Sequence, residues 1–168
     1  MKNIYLVGFM GTGKSLIGRM LAGRLNKEFI EMDADIEKTA GKSIVNIFAQ
    51  NGEAYFRSLE KELLRKLALE RDIVISCGGG LICDDENLPL LKDTGWVFCL
   101  KASASTIYKR IKKQQDRPLL NLDNPLVEIN RLLNSREPYY SQAHHAIDTD
   151  ESSPNFIVEK ILDILRNG

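Results

Sequence analysis

The chain has 168 residues, which is enough for one compact domain with a substantial apolar core. Its 23 basic and 23 acidic side chains balance, and no apolar run approaches the roughly 20 residues that cross a bilayer, so neither nucleic acid nor a membrane is an expected partner. The three cysteines do not form a disulfide framework, and we expect a single domain, 1–168, that works as a monomer in the reducing cytoplasm.

Short apolar runs alternate along the chain with amphipathic stretches. The predicted strands are Asn3–Gly8, Glu28–Met32, Asp72–Ser76, Trp96–Leu100 and His145–Asp148. The predicted helices are Lys14–Leu25, Ser43–Gln50, Glu53–Glu70, Ser105–Lys113, Leu126–Tyr139 and Asn155–Leu165. Because strands and helices alternate, we predict an α/β fold whose parallel sheet is covered by helices on both faces. The segment Gln114–Pro125, rich in Pro, Asn and Asp, is predicted to be a mobile loop.

A phosphate-binding motif follows the first predicted strand. The segment from Gly8 to Ser15 reads GFMGTGKS and matches the pattern G-x-x-x-x-G-K-S. Its glycines allow backbone N–H groups to turn around phosphate oxygens, and the helix that follows presents its positive N-terminal end. Lys14 can bridge the β- and γ-phosphates, and the Ser15 hydroxyl can bind Mg²⁺. The motif predicts nucleotide binding. It does not by itself choose between a kinase, a GTPase switch and a motor-type ATPase. Asn26–Phe29 reads NKEF and fails the N-K-x-D guanine pattern of a GTPase, and a large ATPase would need a longer chain.

Two carboxylates, Asp33 and Asp35, follow the second predicted strand. If the chain stays extended there, residues two apart share one side, and the carboxyl end of a parallel strand places them for ligands. One can then hold Mg²⁺, and the other can orient and deprotonate an acceptor hydroxyl. The alternative is that one of them caps a helix over Ile36–Ala40.

Basic residues and glycines complete a candidate acceptor site. Arg57 can clamp a carboxylate with two parallel hydrogen bonds, pair with Glu60 three residues later, or be solvated. Gly78–Gly80 follows the third predicted strand and indicates either a tight turn or a ligand lying against the backbone. Arg117 in the mobile loop can stabilise a transferring phosphoryl group, whereas Arg136 can face a ligand or complement a helix dipole.

The ordered set of motifs resembles the shikimate kinase family over roughly the whole chain. The segments that carry the resemblance are the phosphate loop, Asp33–Asp35, Phe56–Arg57 with Glu60, Gly78–Gly80, Arg117–Leu120 and Arg136. The resemblance implies a three-layer P-loop kinase fold, in which a five-stranded parallel sheet is flanked by helices and a mobile lid is inserted at about 113–125. It also implies Mg²⁺-dependent transfer of the ATP γ-phosphate to the 3-hydroxyl of shikimate, in aromatic amino acid biosynthesis.

The residue roles follow from the same resemblance. Lys14, Asp35 and Arg117 are implied to be catalytic, and Ser15 and Asp33 are implied to hold Mg²⁺, Asp33 through water. The implied ATP contacts are Gly11, Thr12, Gly13, Lys14, Ser15, Leu16, Arg110, Arg117 and Pro154. The implied shikimate contacts are Asp35, Phe48, Phe56, Arg57, Gly78, Gly79, Gly80 and Arg136. A gluconate or nucleoside monophosphate kinase is the nearest alternative, and a catalytically silent nucleotide-binding domain is another.

Overall fold

The sheet has the parallel arrangement that the sequence predicts. A computed structural model describes residues 2–112 and 123–168. The strands in these ranges are β1 (Asn3–Val7), β2 (Glu28–Glu31), β3 (Ile73–Ser76), β4 (Gly95–Lys101) and β5 (His145–Asp148). They form one five-stranded sheet in the order β2-β3-β1-β4-β5, and every pairing is parallel. The predicted strand positions are therefore confirmed, and their ends differ from the predicted ones by at most one residue.

Helices cover both faces of this sheet. Within the described ranges the α-helices are α1 (Lys14–Leu25), α2 (Met32–Ala40), α3 (Ile44–Leu67), α4 (Asn87–Thr94), α5 (Ala104–Ile111), α6 (Pro125–Tyr140) and α7 (Pro154–Asn167). Gly52, with φ 81° and ψ 172°, interrupts α3, which is why two separate helices were predicted over its length. The helix considered over Ile36–Ala40 is the C-terminal part of α2, which begins earlier, directly after β2 and without a linker. The sequence did not predict α4, which is short and carries Pro89 in its first turn.

Alternate residues of the strands enter two apolar layers. Along β1, Tyr5 and Val7 pack into the cluster shared with α3, α4, α5 and α6, whereas Ile4 and Leu6 pack into the cluster shared with α1 and α7. A smaller cluster joins α2 to α3 through Ile36, Ile47 and Phe56. This packing buries both faces of the sheet and leaves its carboxyl edge to the loops that follow the strands.

Three further predictions concern the chain as a whole. Arg117 and residues 113–122 of the predicted lid lie outside the described residues. Cys77 and Cys99 are buried free thiols and Cys83 is a half-buried one, as expected of a chain without a disulfide framework. Across 2–112 and 123–168, no helix combines the length and the apolar character that spanning a bilayer requires.

Candidate active site

The loops that follow β1, β2 and β3 start at one edge of the sheet. In the register, Ser76 of β3 pairs with Leu6 of β1 on one side and with Glu31 of β2 on the other. The backbone N–H of Cys77 extends this pairing by donating to the Leu6 carbonyl oxygen at 2.9 Å. The phosphate loop, the Asp33–Asp35 segment and the three glycines therefore begin side by side, at the edge where open α/β sheets bind ligands.

Glycine is required at the start of the phosphate loop. Gly8 has a φ of +134°, and a Cβ atom there would lie 2.3 Å from the carbonyl oxygen of Leu100. Gly11 has a φ of +77°, and its Cβ would lie 2.8 Å from Cγ2 of Ile111. These backbone conformations and close approaches exclude larger residues, so the loop is held in its curved shape by packing as well as by hydrogen bonds.

The first turn of α1 is open to an anion. Its N-cap, Gly13, is left-handed and provides no side-chain hydrogen bond. The helices α3, α5, α6 and α7 each have a side-chain cap, from Ser43, Ser103, Asn124 and Ser153. Because the loop glycines leave the N–H groups of α1 without such a cap, the positive end of the helix is available to phosphate oxygens.

Lys14 and Thr12 hold the loop from inside. The Lys14 ammonium donates to the carbonyl oxygens of Gly8 at 2.9 Å and Phe9 at 3.0 Å. The Thr12 hydroxyl, which is buried, donates to the same Phe9 oxygen at 2.8 Å. Ser15 and Leu16 are exposed in the first turn of α1. The ammonium group thus lies within the curve of the loop, where the phosphate chain of a nucleotide binds in this motif.

Arg110 connects the loop to the segment after β5. Its Nη1 donates to the Gly11 carbonyl oxygen at 3.2 Å and to Thr149 Oγ1 at 3.1 Å. Its Nη2 donates to the Thr149 carbonyl oxygen at 2.6 Å. Pro154, another of the residues implied to contact ATP, is exposed and begins α7 after the Ser153 cap. Thr149 was not among the residues predicted to contact ATP, because a threonine directly after a strand does not stand out in the sequence.

The two aspartates lie in a helix, which corrects the extended arrangement considered from the sequence. Asp33 and Asp35 both belong to the first turn of α2, and its N-cap is Glu31, so neither residue is the cap. Two steps along a helix rotate a side chain by about 200° around the axis, so residues two apart point about 160° away from each other. Asp33 is directed towards β3, since its Oδ1 would lie 3.2 Å from a Cβ at Gly78. The two carboxylates therefore face different surroundings, and their negative charges favour the N-terminal end of α2.

Arg57 is fixed by two carboxylates on its own helix. It donates to Glu60 Oε2 at 2.5 Å, as the three-residue spacing predicted, and to Glu53 Oε1 at 3.0 Å. Glu60 is 1% exposed, whereas the Glu53 side chain is 65% exposed. Burial raises the pKa of Glu60 to about 7, the Arg57 guanidinium opposes that rise, and the Asp33 carboxylate adds to it. The buried carboxylate keeps Arg57 at the end of β3 instead of in solvent.

The three glycines make room for these charged side chains. A Cβ at Gly78 would lie 2.1 Å from Glu60 Oε1, and a Cβ at Gly80 would lie 2.6 Å from Arg57 Nη2. Neither residue has a positive φ, so close approach explains these glycines and backbone handedness does not. A Cβ at Gly79 would meet its neighbours at ordinary contact distance, beginning with the Gly8 carbonyl oxygen at 3.5 Å.

Arg136 faces the same backbone from α6. Its Nη1 donates to the Gly79 carbonyl oxygen at 3.3 Å, and its guanidinium lies 5.2 Å from the centre of the Phe9 ring. The buried Tyr140, one turn later, donates its hydroxyl to the same oxygen at 2.7 Å. Arg136 therefore does more than complement the end of its helix. The sequence did not identify Tyr140, although its spacing of four residues from Arg136 places both on one helical face.

A cavity opens between the two arginines. It has a volume of about 490 Å³ and is lined by Glu53, Arg57, Gly80, Cys83, Asp84, Ser135, Arg136 and Tyr139. Beside it, the rings of Phe48 and Phe56 lie 4.9 Å apart, with Phe56 buried and Phe48 partly exposed. Two guanidinium groups facing one cavity suit a small ligand with a carboxylate.

Comparisons with known proteins agree with this geometry. A family profile described as shikimate kinase matches residues 10–166. A shikimate kinase of Pelotomaculum thermopropionicum is 47% identical over 166 residues, which are 99% of this chain and 96% of that protein. The shikimate kinase of Acinetobacter baumannii, solved in complex with shikimate, has a TM-score of 0.94 and 36% identity over 99% of this chain and 94% of that one. The shikimate kinase of Aquifex aeolicus has a TM-score of 0.83 and 36% identity over 98% of this chain and 96% of that one.

Replacing Glu60 should change how stability depends on pH. The pKa of Glu60 is about 7 in the folded protein and 4.5 without the fold, so the folded state binds more protons between these values. The contribution of Glu60 therefore lowers stability as pH rises through that window. The variant Glu60→Gln should not lose this stability. In urea titrations, we expect the difference in free energy of unfolding between the variant and the wild type to shift by about 2–3 kcal/mol in favour of the variant as pH rises from about 4.5 to about 7. Glu53→Gln, at the exposed partner of Arg57, should follow the wild type. A constant difference between Glu60→Gln and the wild type would contradict the assignment.

Proposed function

The chain belongs to the shikimate kinase family, and we propose that ATP and shikimate meet at the carboxyl edge of its sheet. The enzyme is an ATP-dependent kinase that phosphorylates shikimate. The observation that carries the proposal for the site is the position of Gly79. A Cβ there would lie 3.5 Å from the Gly8 carbonyl oxygen of the phosphate loop and 3.6 Å from Arg136 Nη1. This short separation supports a site in which the nucleotide and the acceptor lie next to each other.

On the nucleotide side, the phosphate loop binds the phosphates of ATP, including the γ-phosphoryl group that is transferred. The backbone N–H groups of Gly11–Leu16 bind the phosphates, and Lys14 moves from its carbonyl partners to bridge the β- and γ-phosphates. Arg110 and Pro154 lie on the two sides of the adenine. Arg117, in the predicted lid, adds a positive charge as the γ-phosphoryl group moves. Catalysis then rests on position and charge, which is what a loose phosphoryl-transfer transition state requires.

Ser15 and Asp33 are the residues that would hold Mg²⁺. The Ser15 hydroxyl is exposed at the start of α1, and the Asp33 carboxylate is half-buried beside Gly78. Within the described ranges no three His, Cys, Asp or Glu side chains gather as a metal site. Two protein oxygens with phosphate oxygens and water suit Mg²⁺, which retains several waters in nucleotide sites. When bound, the ion neutralises charge on the β- and γ-phosphates.

On the acceptor side, the charges match a small cyclic acid with hydroxyl groups. Arg57 and Arg136 bind the shikimate carboxylate, and the backbone of Gly78–Gly80 lines the pocket. Phe48 and Phe56 pack beside the ring. Asp35 binds the hydroxyls and orients the 3-hydroxyl, and it accepts the hydroxyl proton as the oxygen attacks the γ-phosphorus. The bond from the γ-phosphorus to the β,γ-bridging oxygen breaks in the same step, and ADP leaves. Both halves of this site come from one chain, which supports a monomer, and free thiols support a cytoplasmic enzyme.

The test of the proposed function is ADP release from MgATP with shikimate, gluconate or AMP as the acceptor. We expect shikimate alone to give efficient turnover, and we expect Lys14→Ala to abolish it because the bridging charge is lost. The product should carry its phosphate on the 3-hydroxyl, which phosphorus–proton correlation NMR identifies. Equal turnover with gluconate, or phosphorylation at another hydroxyl, would contradict the proposed acceptor geometry.

Arg136→Ala should weaken shikimate binding without a comparable effect on ATP. A hydrogen bond to a charged group contributes about 1.5–3 kcal/mol, which corresponds to a rise of about 10- to 150-fold in the KM for shikimate. Arg131→Ala is the matched control, since Arg131 lies on the same helix in an exposed ion pair with Glu128. Initial rates at saturating ATP measure both variants. Equal KM values for the two variants would remove Arg136 from the carboxylate site.

Asp35→Asn tests whether this carboxylate accepts a proton. We expect the single-turnover rate at saturating shikimate to fall by at least about 100-fold, because general base catalysis typically contributes that much or more. Asp163→Asn, at an exposed aspartate of α7, should leave the rate unchanged. A near-normal rate with a raised dissociation constant for shikimate would assign Asp35 to binding alone.

A further inference from the structure

We propose that Thr149 is a positioning residue for the nucleotide, which fixes the guanidinium of Arg110 between the phosphate loop and the segment after β5. The proposal rests on the function proposed above, in which Arg110 lies against the adenine. Thr149 touches no reacting atom, and its effect passes through Arg110.

Thr149 is anchored to the carboxyl end of β4. It is 1% exposed, and both its backbone N–H and its hydroxyl donate to the Lys101 carbonyl oxygen, each at 2.9 Å. Lys101 is the last residue of β4 and pairs with Asp148 of β5, so Thr149 continues the pairing one residue beyond the sheet. Its position is therefore set by the sheet, which is the rigid part of the fold.

The direction of these hydrogen bonds leaves Thr149 as an acceptor for Arg110. A hydroxyl has one proton, and the Thr149 proton is used at Lys101. Its lone pairs then accept from Arg110 Nη1 at 3.1 Å, while its carbonyl oxygen accepts from Nη2 at 2.6 Å. One residue thus binds both terminal nitrogens of the guanidinium and fixes the plane of the group.

The fixed guanidinium is connected directly to the phosphate loop. Its Nη1 also donates to the Gly11 carbonyl oxygen at 3.2 Å. With these donors engaged along its edge, Arg110 presents its face to a planar ring, which is the way that guanidinium groups stack. Thr149 therefore sets the distance and angle between the surface that receives the base and the loop that receives the phosphates.

The matched experiment replaces the hydroxyl with a methyl group. Thr149→Val keeps the shape and the backbone hydrogen bonds of this residue but loses the bonds of its hydroxyl to the Lys101 carbonyl oxygen and to Arg110 Nη1. With Arg110 then held through Nη2 alone at this residue, we expect the KM for ATP to rise about 10-fold, equivalent to about 1.4 kcal/mol. The kcat and the KM for shikimate should stay within about 2-fold, and Thr149→Ser should restore the KM for ATP. Thr149→Ala serves if the valine variant does not fold. The control is Thr94→Val at the last residue of α4. The Thr94 hydroxyl is bonded to the Tyr5 hydroxyl and the Leu90 carbonyl oxygen, so this substitution should affect only thermal stability.

Inorganic tripolyphosphate separates the base from the phosphates. As a competitor of ATP it occupies the phosphate loop without a base, so its inhibition constant should be the same in Thr149→Val and the wild type. An equal loss of affinity for tripolyphosphate and ATP would contradict the proposal, because Thr149 would then act on the loop itself. If Arg110→Met leaves the KM for ATP unchanged, the placement of the adenine fails. If Arg110→Met weakens ATP and Thr149→Val does not, only the role of Thr149 fails.

Discussion

The segment after β3 and the cavity beside it depend on the ion pair between Glu60 and Arg57. A carboxylate that is 1% exposed is costly to bury, and the 2.5 Å contact with Arg57 offsets part of that cost. Because Glu60 Oε1 lies against Gly78 and Arg57 Nη2 lies against Gly80, any side chain at either glycine would displace one member of the pair. The pair therefore determines which residues can follow β3, and it holds a guanidinium at the wall of the cavity.

The phosphate loop is shaped mainly by its backbone, whereas the segment after β3 is shaped by charged side chains. The shape of the loop comes from left-handed glycines, a helix without a side-chain cap and carbonyl oxygens held by Lys14 and Arg110. In the phosphate loop, charged side chains donate hydrogen bonds to the backbone. After β3, glycines leave the space that the charged side chains of Glu60 and Arg57 occupy. The two constructions meet at Gly79, whose carbonyl oxygen accepts from Arg136 and Tyr140 while its α-carbon faces the phosphate loop. Helix α6 therefore contacts the phosphate loop in two ways, through Gly79 and through the Arg136 guanidinium over the Phe9 ring.

The sequence predicted the sheet and the phosphate loop well because both depend on local patterns. β-Branched runs and a Gly-rich motif are properties of consecutive residues, and the strand ends agree with the structure to within one residue. It could not predict that Gly78 and Gly80 are required by Glu60 and Arg57, since these contacts join residues far apart in the chain. Thr149 and Tyr140 were missed for the same reason, as their partners lie on other elements. The helix considered over Ile36–Ala40 started too late because the first turn of α2 reads as the end of a strand.

The helical conformation of α2 explains how neighbouring aspartates can serve different ligands. On an extended chain, Asp33 and Asp35 would share one side, and both would compete for the same cation or the same hydroxyl. In a helix they point about 160° apart, so Asp33 lies beside Gly78 and Glu60 while Asp35 points away from them. The electrostatic contact of Asp33 with Glu60 raises the pKa of Glu60, which makes a nearby cation favourable for both carboxylates. Asp35, on the other side of the turn, faces away from this pair of carboxylates. Ending β2 in a helix without a linker is therefore what gives two carboxylates within three residues different surroundings.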